Sequence, residues 1–278
     1  GRTVIDLLEI LLKTEKHQLA EFNLDYVAKN YLKPPMEKLT WNGLPIAPNI
    51  EKIWPIDPIL VLRYNKRDVE ICVALNKQQD LIDFADEIRK FVGCQIDDIF
   101  SNKRIAHIEL LRRAKRPVPV TKKETKGYKG AIVIEPKKGI YAWVIVMDFR
   151  SLYPSIILQF NIDPDTYIPQ SHRRSYNLSN AYVIKDKDAN TTYWFKKQPE
   201  GDLPAVLKSY LKKREDKVKQ MKEARLKGDF VKAELYDIQQ NALKVIANAF
   251  YGSLLYRGVP SAYQCARAVT CGAREAIR

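Results

Sequence analysis

The sequence predicts a mixed α/β fold of the α+β, multidomain type, on three observations. Two long helical patterns follow each other in residues 203–252 with only a short turn between them. Apolar runs typical of antiparallel strands surround a Pro-Lys-Lys-Gly turn in residues 131–147. A stretch rich in proline, glycine and lysine, residues 116–130, precedes that strand sequence. Such a stretch indicates a boundary between two lobes.

The part of the chain before this boundary is mainly helical. Residues 4–10, VIDLLEI, predict a strand, and helical segments follow it. The proline-rich residues 32–38 and 44–58 predict irregular structure. Residues 59–92 have apolar side chains close to helical spacing and predict a long helical region. A further helix is predicted through residues 108–116, IELLRRAKR.

After the boundary, AIVIE and YAWVIVM predict two strands, and the second leads directly to Asp148. The apolar run WVIVM is typical of a buried central strand, which would carry Asp148 to the edge of a sheet. Two roles fit this carboxylate equally well. It could be an oxygen ligand for a hard cation such as Mg²⁺, with the Phe149 carbonyl beside it. Alternatively, it could cap the helix that residues 151–157 enter. Residues 156–160 continue apolar and are also predicted to be helical. Residues 161–199 predict turns and short strands such as TYWF.

The helical hairpin is the clearest secondary-structure prediction. Asp202 is the expected N-cap of its first helix, with Pro204 in the first turn. The turn is Lys227-Gly228-Asp229, and the second helix closes at Gly252. Because the connection is so short, the two helices must be close to antiparallel neighbours.

One face of this hairpin has the side chains of a phosphate clamp. Arg214 and Lys244 lie at similar heights, about 21 and 24 Å from the turn at about 1.5 Å per residue. Lys244, Asn248, Tyr251 and Gly252 share one face of the second helix. Two cations can hold a triphosphate, and the ring and glycine can accept a base. The alternative is an ordinary charged helix whose tyrosine lies in the core.

The formal net charge of +14 is concentrated in two places. Residues 102–129 contribute +8 and residues 203–230 contribute +5. Concentrated positive charge indicates a polyanionic partner, either nucleic acid or nucleotide phosphates. A solvated helix face is the competing interpretation.

Cysteine, histidine and hydropathy patterns exclude several other classes. The four cysteines form no CxxC pair, and with only three histidines a zinc site or a disulfide framework is not expected. No apolar run approaches the ~20 residues that span a bilayer, so no membrane partner is expected. An intracellular location is the simplest expectation for reduced thiols.

Several segments, in order, resemble motifs of the family B DNA polymerases of the archaeal, replicative type. DFRSLYPSII, residues 148–157, resembles the first polymerase motif, and LKVIANAFYG, residues 243–252, resembles the finger-helix motif K-x-x-x-N-x-x-Y-G. YKGAIVIEP, residues 128–136, is similar to the segment between the exonuclease and polymerase lobes, and YNKRD, residues 64–68, to the third exonuclease motif. CARAVTCGAR, residues 265–274, is similar to the stretch after the finger motif.

The resemblance implies a domain organisation. Residues 1–115 would be the C-terminal part of an RNase H-like 3′–5′ exonuclease domain with the helices that follow it. Residues 116–202 would be the linker and the first part of a palm with an antiparallel sheet. Residues 203–252 would be the fingers hairpin, and residues 253–278 the return to the palm.

The first polymerase motif would supply catalytic and nucleotide-binding groups. The resemblance makes Asp148 a catalytic metal ligand in a two-Mg²⁺ site, with Phe149 contributing its carbonyl. Backbone amides of Ser151, Leu152 and Tyr153 would hold the triphosphate of the dNTP. The Tyr153 ring would exclude a ribose 2′-hydroxyl.

The finger motif would complete the dNTP site. Arg214 and Lys244 would bind the β- and γ-phosphates, and Asn248 would help to order the site. Tyr251 and Gly252 would pack at the nascent base pair.

Two further groups of residues follow from the resemblance. Tyr128, Lys129 and Gly130 would contact the DNA template. Tyr64 and Asp68 would belong to the exonuclease, with Asp68 as a metal ligand and Tyr64 orienting the attacking water.

The implied reaction is template-directed transfer of a deoxynucleotide from a dNTP to a primer 3′-hydroxyl. The chain departs from the family pattern because it has no D-T-D hairpin, thumb or first two exonuclease motifs. Ala131 and Ser253 are smaller departures. We expect a fragment of a polymerase, or one chain of a split polymerase whose partner carries the D-T-D hairpin and thumb, with a sliding clamp as a possible partner. A non-catalytic DNA-binding scaffold is the alternative.

Overall fold

A computed structural model describes most of the chain. The described residues are 4–15, 20–113, 130–149, 151–254 and 261–278. They form helices and two small antiparallel sheets, which confirms the mixed α/β class. Apart from its last residue, the linker predicted at 116–130 lies outside the described residues.

The first of two compact units, Gly1–Arg89, is built mainly from helices. Its elements are α1 (Leu7–Glu15), α2 (Leu24–Tyr31), β1 (Thr40–Trp41), β2 (Leu44–Pro45), α3 (Ile50–Ile53), α4 (Pro58–Gln79) and the start of α5 (Leu81–Val92). An Asn42-Gly43 turn with positive φ at both residues joins β1 to β2, as expected of a two-residue hairpin. Asp57 caps α4 by accepting the Leu60 N–H at 2.9 Å.

The strand predicted for residues 4–10 is wrong, because most of this stretch belongs to α1. Asp6 Oδ1 accepts a hydrogen bond from the Leu8 N–H at 2.8 Å at the start of this helix. Ile10 and Leu11 of α1 are buried. The run of apolar residues fits both the two-residue period of a strand and the 3.6-residue period of a helix. The Asp6 carboxylate, which satisfies an N–H group in the first turn, favours the helix.

The second compact unit, Lys90–Arg278, contains the predicted helical hairpin and the longer of the two sheets. Its further elements are α6 (Asn102–Arg113), α7 (Leu152–Gln159), β3 (Ala181–Asp186), β4 (Thr191–Lys196), α8 (Asp202–Leu226), α9 (Phe230–Ser253) and α10 (Ala262–Ile277). Strands β3 and β4 pair antiparallel from Ala181 opposite Lys196 to Asp186 opposite Thr191, which confirms the strand predicted at TYWF.

The hairpin of α8 and α9 has the turn that its sequence predicts. Gly228 has a φ of 73°, and the Gly228 and Asp229 N–H groups donate to the carbonyls of Arg225 and Ala224. This pair of bonds is a Schellman motif, which ends α8. Asp229 then begins α9 by accepting the Lys232 N–H at 3.1 Å. Three residues therefore end one helix and start the next.

Apolar side chains hold the hairpin together along its length. Tyr210 of α8 and Phe250 of α9 are buried, and their ring centroids lie 5.6 Å apart. The Tyr210 hydroxyl donates to the Phe91 carbonyl at 3.2 Å, and burial raises its pKa. Helix α6 packs against both α8 and α9.

The start of α8 differs from its prediction. Gly201, not Asp202, is the N-cap residue, and Asp163 from a distant loop provides the capping carboxylate. Asp163 Oδ2 accepts the Leu203 N–H at 2.9 Å. A Cβ on Gly201 would lie 2.4 Å from the Asp163 Cβ, so only glycine admits this approach. The cap is a tertiary contact, which local sequence does not reveal.

The two strands predicted around the Pro-Lys-Lys-Gly turn, AIVIE and YAWVIVM, are not present. Residues 131–149, which we call the unpaired segment, have neither strand pairing nor helix and contain bends at 139, 142 and 143, and their side chains are almost all exposed. Trp143 is 98% exposed and Val146 is 87% exposed. No other described segment pairs with them, so their backbone N–H and C=O groups have no sheet partner. The prediction of a buried central strand is therefore wrong for this structure.

Candidate active site

Two tyrosines from different helices meet at the centre of the candidate site. Tyr153 lies in the first turn of α7, and Tyr251 in the last turn of α9. Their ring centroids are 4.5 Å apart and the rings are tilted by 52°. Helix α7 packs against α8, α9 and α10, which fixes its position beside the hairpin. The structure thus brings together residues that are far apart in the sequence.

The exposed face of α9 leads away from this pair of rings. Lys244 and Asn248 are exposed on it, and Tyr251 and Gly252 are half-buried at its end. A Cβ built on Gly252 would meet no atom of the described residues within 4 Å, so among them the surface beside Tyr251 is open. The cation, the amide and the ring follow one helix face, as their spacing predicts.

Arg214 approaches the same region from α8. Its Nε donates to Gln240 Oε1 at 3.3 Å, and the side chain is half-buried. Gln240 lies one turn before Lys244 on α9, so the predicted similar height of the two cations is supported. Gln240 also donates to Asp237 Oδ1 at 3.0 Å. Gln240 cannot be identified from the sequence, because its spacing matches no motif.

Asp148 is exposed at the end of the unpaired segment, with Phe149 beside it. It does not cap α7, whose N-cap residue is Ser151, with a φ of 53° and no side-chain cap. The helix-cap interpretation is therefore wrong. Leu152 begins α7, and the first N–H groups of a helix have no acceptor within it.

A metal centre needs several oxygen ligands, and this region supplies one carboxylate. Within the described ranges, no three or more His, Cys, Asp or Glu side chains form a group that could hold a metal ion. The described residues around Asp148 therefore do not fit a complete magnesium site on their own.

A second cluster lies in the first compact unit. Tyr64 and Asp68 share one face of α4, and Lys38 lies between them. Lys38 Nζ is 3.1 Å from the Tyr64 hydroxyl and 3.0 Å from Asp68 Oδ2. Burial lowers the Lys38 pKa, but hydrogen bonds to Tyr64 and Asp68 outweigh it and raise the pKa overall. Sequence reasoning missed Lys38, which precedes the motif by a long stretch.

One oxygen of this cluster has no partner. Asp68 Oδ1 is buried and accepts no hydrogen bond from any residue that the structure describes. A buried carboxylate oxygen without a donor is costly, so this atom fits a site that a cation or a further donor completes.

The predicted DNA-contacting residues are only partly described. Tyr128 and Lys129 lie outside the described residues. Gly130 is exposed, and its carbonyl accepts a hydrogen bond from Arg274 of α10 at 3.0 Å.

No helix in the described part of the chain is both long and apolar enough to span a bilayer.

Comparisons with known proteins place these sites in context. The sequence model described as DNA polymerase family B matches residues 94–278. The DNA polymerase of Pyrococcus glycovorans is 28% identical over 100% of this chain and 35% of its own length. That of Archaeoglobus fulgidus is 31% identical over 78% of this chain and 27% of its own.

A solved structure is similar over nearly the whole chain. The structure of the family B DNA polymerase from the hyperthermophilic archaeon Pyrobaculum calidifontis matches with a TM-score of 0.72 and 28% identity. The match covers 96% of this chain and 35% of the Pyrobaculum calidifontis chain. The chain spans about a third of the length of the curated relatives that it matches over its whole length.

Proposed function

Because the chain belongs to DNA polymerase family B, we propose that it forms the nucleotide-binding part of a template-directed DNA polymerase. The observation that carries this proposal is the contact between Tyr153 and Tyr251, whose ring centroids lie 4.5 Å apart. It joins the first polymerase motif to the finger motif at the end of the face that bears Lys244 and Asn248. These are the groups that a dNTP requires: cations for phosphate, a ring for the sugar and an open surface for the base.

In this proposal, each group performs one task. Lys244 and Arg214 bind the β- and γ-phosphates by charge-assisted hydrogen bonds, and Gln240 holds Arg214 in place. Backbone N–H groups of Ser151, Leu152 and Tyr153, at the start of α7, hold the same triphosphate.

The remaining groups select the sugar and the base. The Tyr153 ring lies against Tyr251 and blocks a 2′-hydroxyl. Asn248 orders the site. The open surface at Gly252 admits the nascent base pair.

Asp148 is proposed as the magnesium ligand that this chain contributes, with the Phe149 carbonyl beside it. The other ligands would come from the part of the relatives' length that this chain does not span. When bound, the ions would lower the pKa of the primer 3′-hydroxyl and stabilise the leaving oxygen.

The other proposals concern the rest of the molecule. Residues 1–115 are assigned to the exonuclease domain and its following helices, where Asp68 would bind metal and Tyr64 would orient water. Residues 116–202 would be the linker and palm, 203–252 the fingers, and 253–278 the return to the palm. Primer-template DNA would contact Tyr128, Lys129 and Gly130. A chain with the D-T-D hairpin and thumb, and a sliding clamp, are the proposed partners.

A DNA-binding scaffold without catalysis is the second candidate. The exposed lysines along α8 favour it, because a row of cations suits a phosphate backbone without any chemistry. These are Lys208, Lys212, Lys213, Lys219 and Lys222.

Primer extension separates the two functions. This chain is mixed with a second chain that carries the D-T-D hairpin and thumb, and extension is measured with Mg²⁺ and four dNTPs. Asp148→Ala should lower the rate at least about a hundredfold, since even residues that only support metal ligands cost ten- to a hundredfold. It should leave DNA binding intact.

Asp216→Ala, which removes an exposed carboxylate from α8, is the matched control and should extend at the normal rate. Normal extension by Asp148→Ala would refute the catalytic assignment. A mixture that binds DNA tightly but extends nothing would favour the scaffold.

A further inference from the structure

The chain leaves α7 through Asn161, a buried residue with a left-handed backbone and a φ of 51°. The Ile162 N–H donates to the Ile157 carbonyl at 2.9 Å, and the Asn161 N–H donates to the Leu158 carbonyl at 3.4 Å. This pair of bonds is a Schellman motif, whose left-handed residue is usually glycine and sometimes asparagine. The end of the helix therefore accounts for the backbone at this position but does not require a side chain.

The side chain of Asn161 connects the end of α7 to the start of α8. Its Oδ1 accepts the N–H of Gly201, the N-cap residue of α8, at 2.9 Å. Its Nδ2 donates to the carbonyls of Lys196 and Pro199 at 2.9 and 3.0 Å. Asparagine suits both tasks, because it tolerates the left-handed backbone and its short side chain offers a donor and an acceptor. Glycine would end α7 equally well but would make none of these bonds.

Asp163 binds the same helix start, two residues further along the chain. Its Oδ2 accepts the Leu203 N–H at 2.9 Å, and its Oδ1 accepts the Asp165 N–H at 2.7 Å. A Cβ on Gly201 would lie 2.4 Å from the Asp163 Cβ, so the two segments are in direct contact. Asn161 and Asp163 are each 5% exposed. We call Asn161, Asp163 and Gly201 the α7–α8 junction.

The hairpin of α8 and α9 is thus attached to α7 at both of its open ends. The α7–α8 junction holds the start of α8, and the contact of Tyr251 with Tyr153 holds the end of α9. Arg214 lies twelve residues after Asp202, the first residue of α8, which is about 18 Å along the helix. A rotation of about 5° at the junction would therefore move Arg214 by about 1.6 Å.

A displacement of this size is large for a site that binds a triphosphate. In the proposed function the triphosphate is held from two sides, by amides at the start of α7 and by Arg214 and Lys244 on the hairpin. A misplacement of about 1 Å can reduce a rate about a hundredfold, because the bound groups must be held in one geometry. A buried network whose hydrogen bonds are all made specifies one arrangement of its segments. The α7–α8 junction therefore suits a positioning role.

We propose that Asn161 and Asp163 are positioning residues that fix the hairpin relative to α7 and thereby set the gap in which the triphosphate binds. This inference rests on the proposed function, in which the dNTP lies between the start of α7 and the hairpin. Neither residue touches the nucleotide in the proposal. Their effect passes through the N–H groups of Gly201 and Leu203, at the start of α8.

Asn161→Gly tests the proposal with the least damage to α7, because it keeps a residue that favours the left-handed backbone and removes only the side-chain bonds. The Kd for dATP at equilibrium should rise about tenfold, within the coupling found between residues of one hydrogen-bond network. A far-ultraviolet circular dichroism spectrum checks that the variant folds. An unchanged Kd would overturn the proposal.

Asn190→Gly is the matched control for this substitution. Asn190 also has a left-handed backbone, with a φ of 47°, but it is exposed in the turn between β3 and β4. The variant should bind dATP with the affinity of the natural chain. An equal loss of affinity in both glycine variants would show a general effect of the substitution and would refute a special role for Asn161.

Two variants of Asp163 test the second positioning residue, and they also serve if Asn161→Gly does not fold. Asp163→Ala removes the acceptor of the Leu203 N–H and should raise the Kd for dATP about tenfold. Asp163→Asn keeps an oxygen that can accept this N–H, so its Kd should stay within about twofold of the natural value. Equal Kd values for the two variants would contradict the positioning role, because the bond to α8 would then be irrelevant.

A double-mutant cycle separates positioning from a general loss of structure. If Asn161 acts by placing the cations of the hairpin, Asn161→Gly should raise the Kd for dATP by a smaller factor in Lys244→Ala than in the natural chain. The same factor in both backgrounds would mean that Asn161 acts on the fold alone, which overturns the proposal.

Failure of the inference and failure of the proposed function give different results. If Lys244→Ala binds dATP normally, the phosphate-binding face is wrong, and the inference falls with it. If Lys244→Ala weakens binding but Asn161→Gly and Asp163→Ala do not, the positioning role is wrong and the phosphate-binding face stands.

Discussion

The α8–α9 hairpin and residues 131–149 are both rich in apolar residues, yet only the hairpin forms the secondary structure that its sequence predicts. Phe250 in α9 is 0% exposed, and its ring packs against that of Tyr210 at a tilted angle. Val146 in the unpaired segment is 87% exposed and pairs with no strand in the described part of the chain. The difference lies in where each element finds its hydrogen-bond partners.

A helix satisfies its backbone within itself, whereas a strand needs a neighbour. The hairpin contains both of its helices, the turn between them and the face that each buries against the other. The unpaired segment has the composition of a strand but no strand partner among the described residues. Such a segment can form a strand only when a partner strand pairs with it. The Asp148 carboxylate lies at the end of this segment.

Truncating one side chain in each region tests this comparison and should give the largest effect. Phe250→Ala should lower the free energy of unfolding by about 3–5 kcal/mol, because it removes a fully buried ring. Val146→Ala should change it by less than about 0.5 kcal/mol, because the side chain is already in water. Urea denaturation of the two variants measures both.

A large loss from Val146→Ala would contradict the comparison. It would mean that residues 131–149 are packed in solution, with a neighbour that satisfies the predicted strand.

The sequence predicted what depends on local pattern. The turn at Gly228, the lengths of α8 and α9 and the shared face of Lys244 and Asn248 follow from spacing alone, and the structure confirms them. The strand pairing of residues 131–149 depends on residues elsewhere, and that prediction was wrong.

The same limit explains the missed contacts. Lys38 meets Asp68 and Tyr64 across a distance in sequence that no motif spacing covers. Gln240 was overlooked because only the opposite helix makes it a partner for Arg214. The resemblance to a known family identified candidate ligand residues, but it did not reveal which neighbouring side chains form hydrogen bonds with them.

The cap of α8 gives a smaller, pH-dependent prediction. Burial raises the pKa of the Asp163 carboxyl above its ordinary value of 3.8, although N–H donors from Leu203 and Asp165 partly oppose this. A raised pKa means that the fold favours the protonated form. The stability that this group contributes is therefore present below pH 3.8 and is lost as the pH rises through the raised pKa.

Asp163→Asn removes that titration, and its amide oxygen can still accept the Leu203 N–H. The stability of the natural chain relative to Asp163→Asn should fall as the pH rises from acid towards neutral. Urea denaturation at a series of pH values measures this difference. A difference that stays constant, or grows with pH, would contradict the raised pKa.

The central claim is that one face of α9 binds the phosphates of a dNTP, and equilibrium binding of dATP to Lys244→Ala tests it most directly. We expect the Kd to rise about tenfold, the loss of about 1.4 kcal/mol that one charge-assisted hydrogen bond supplies. Lys232→Ala is the matched control, because Lys232 is an exposed lysine of the same helix and is ion-paired to Asp229 at the turn. Lys232 lies about 18 Å along the helix from Lys244. It should bind dATP normally. Equal affinity of the two variants would contradict the account.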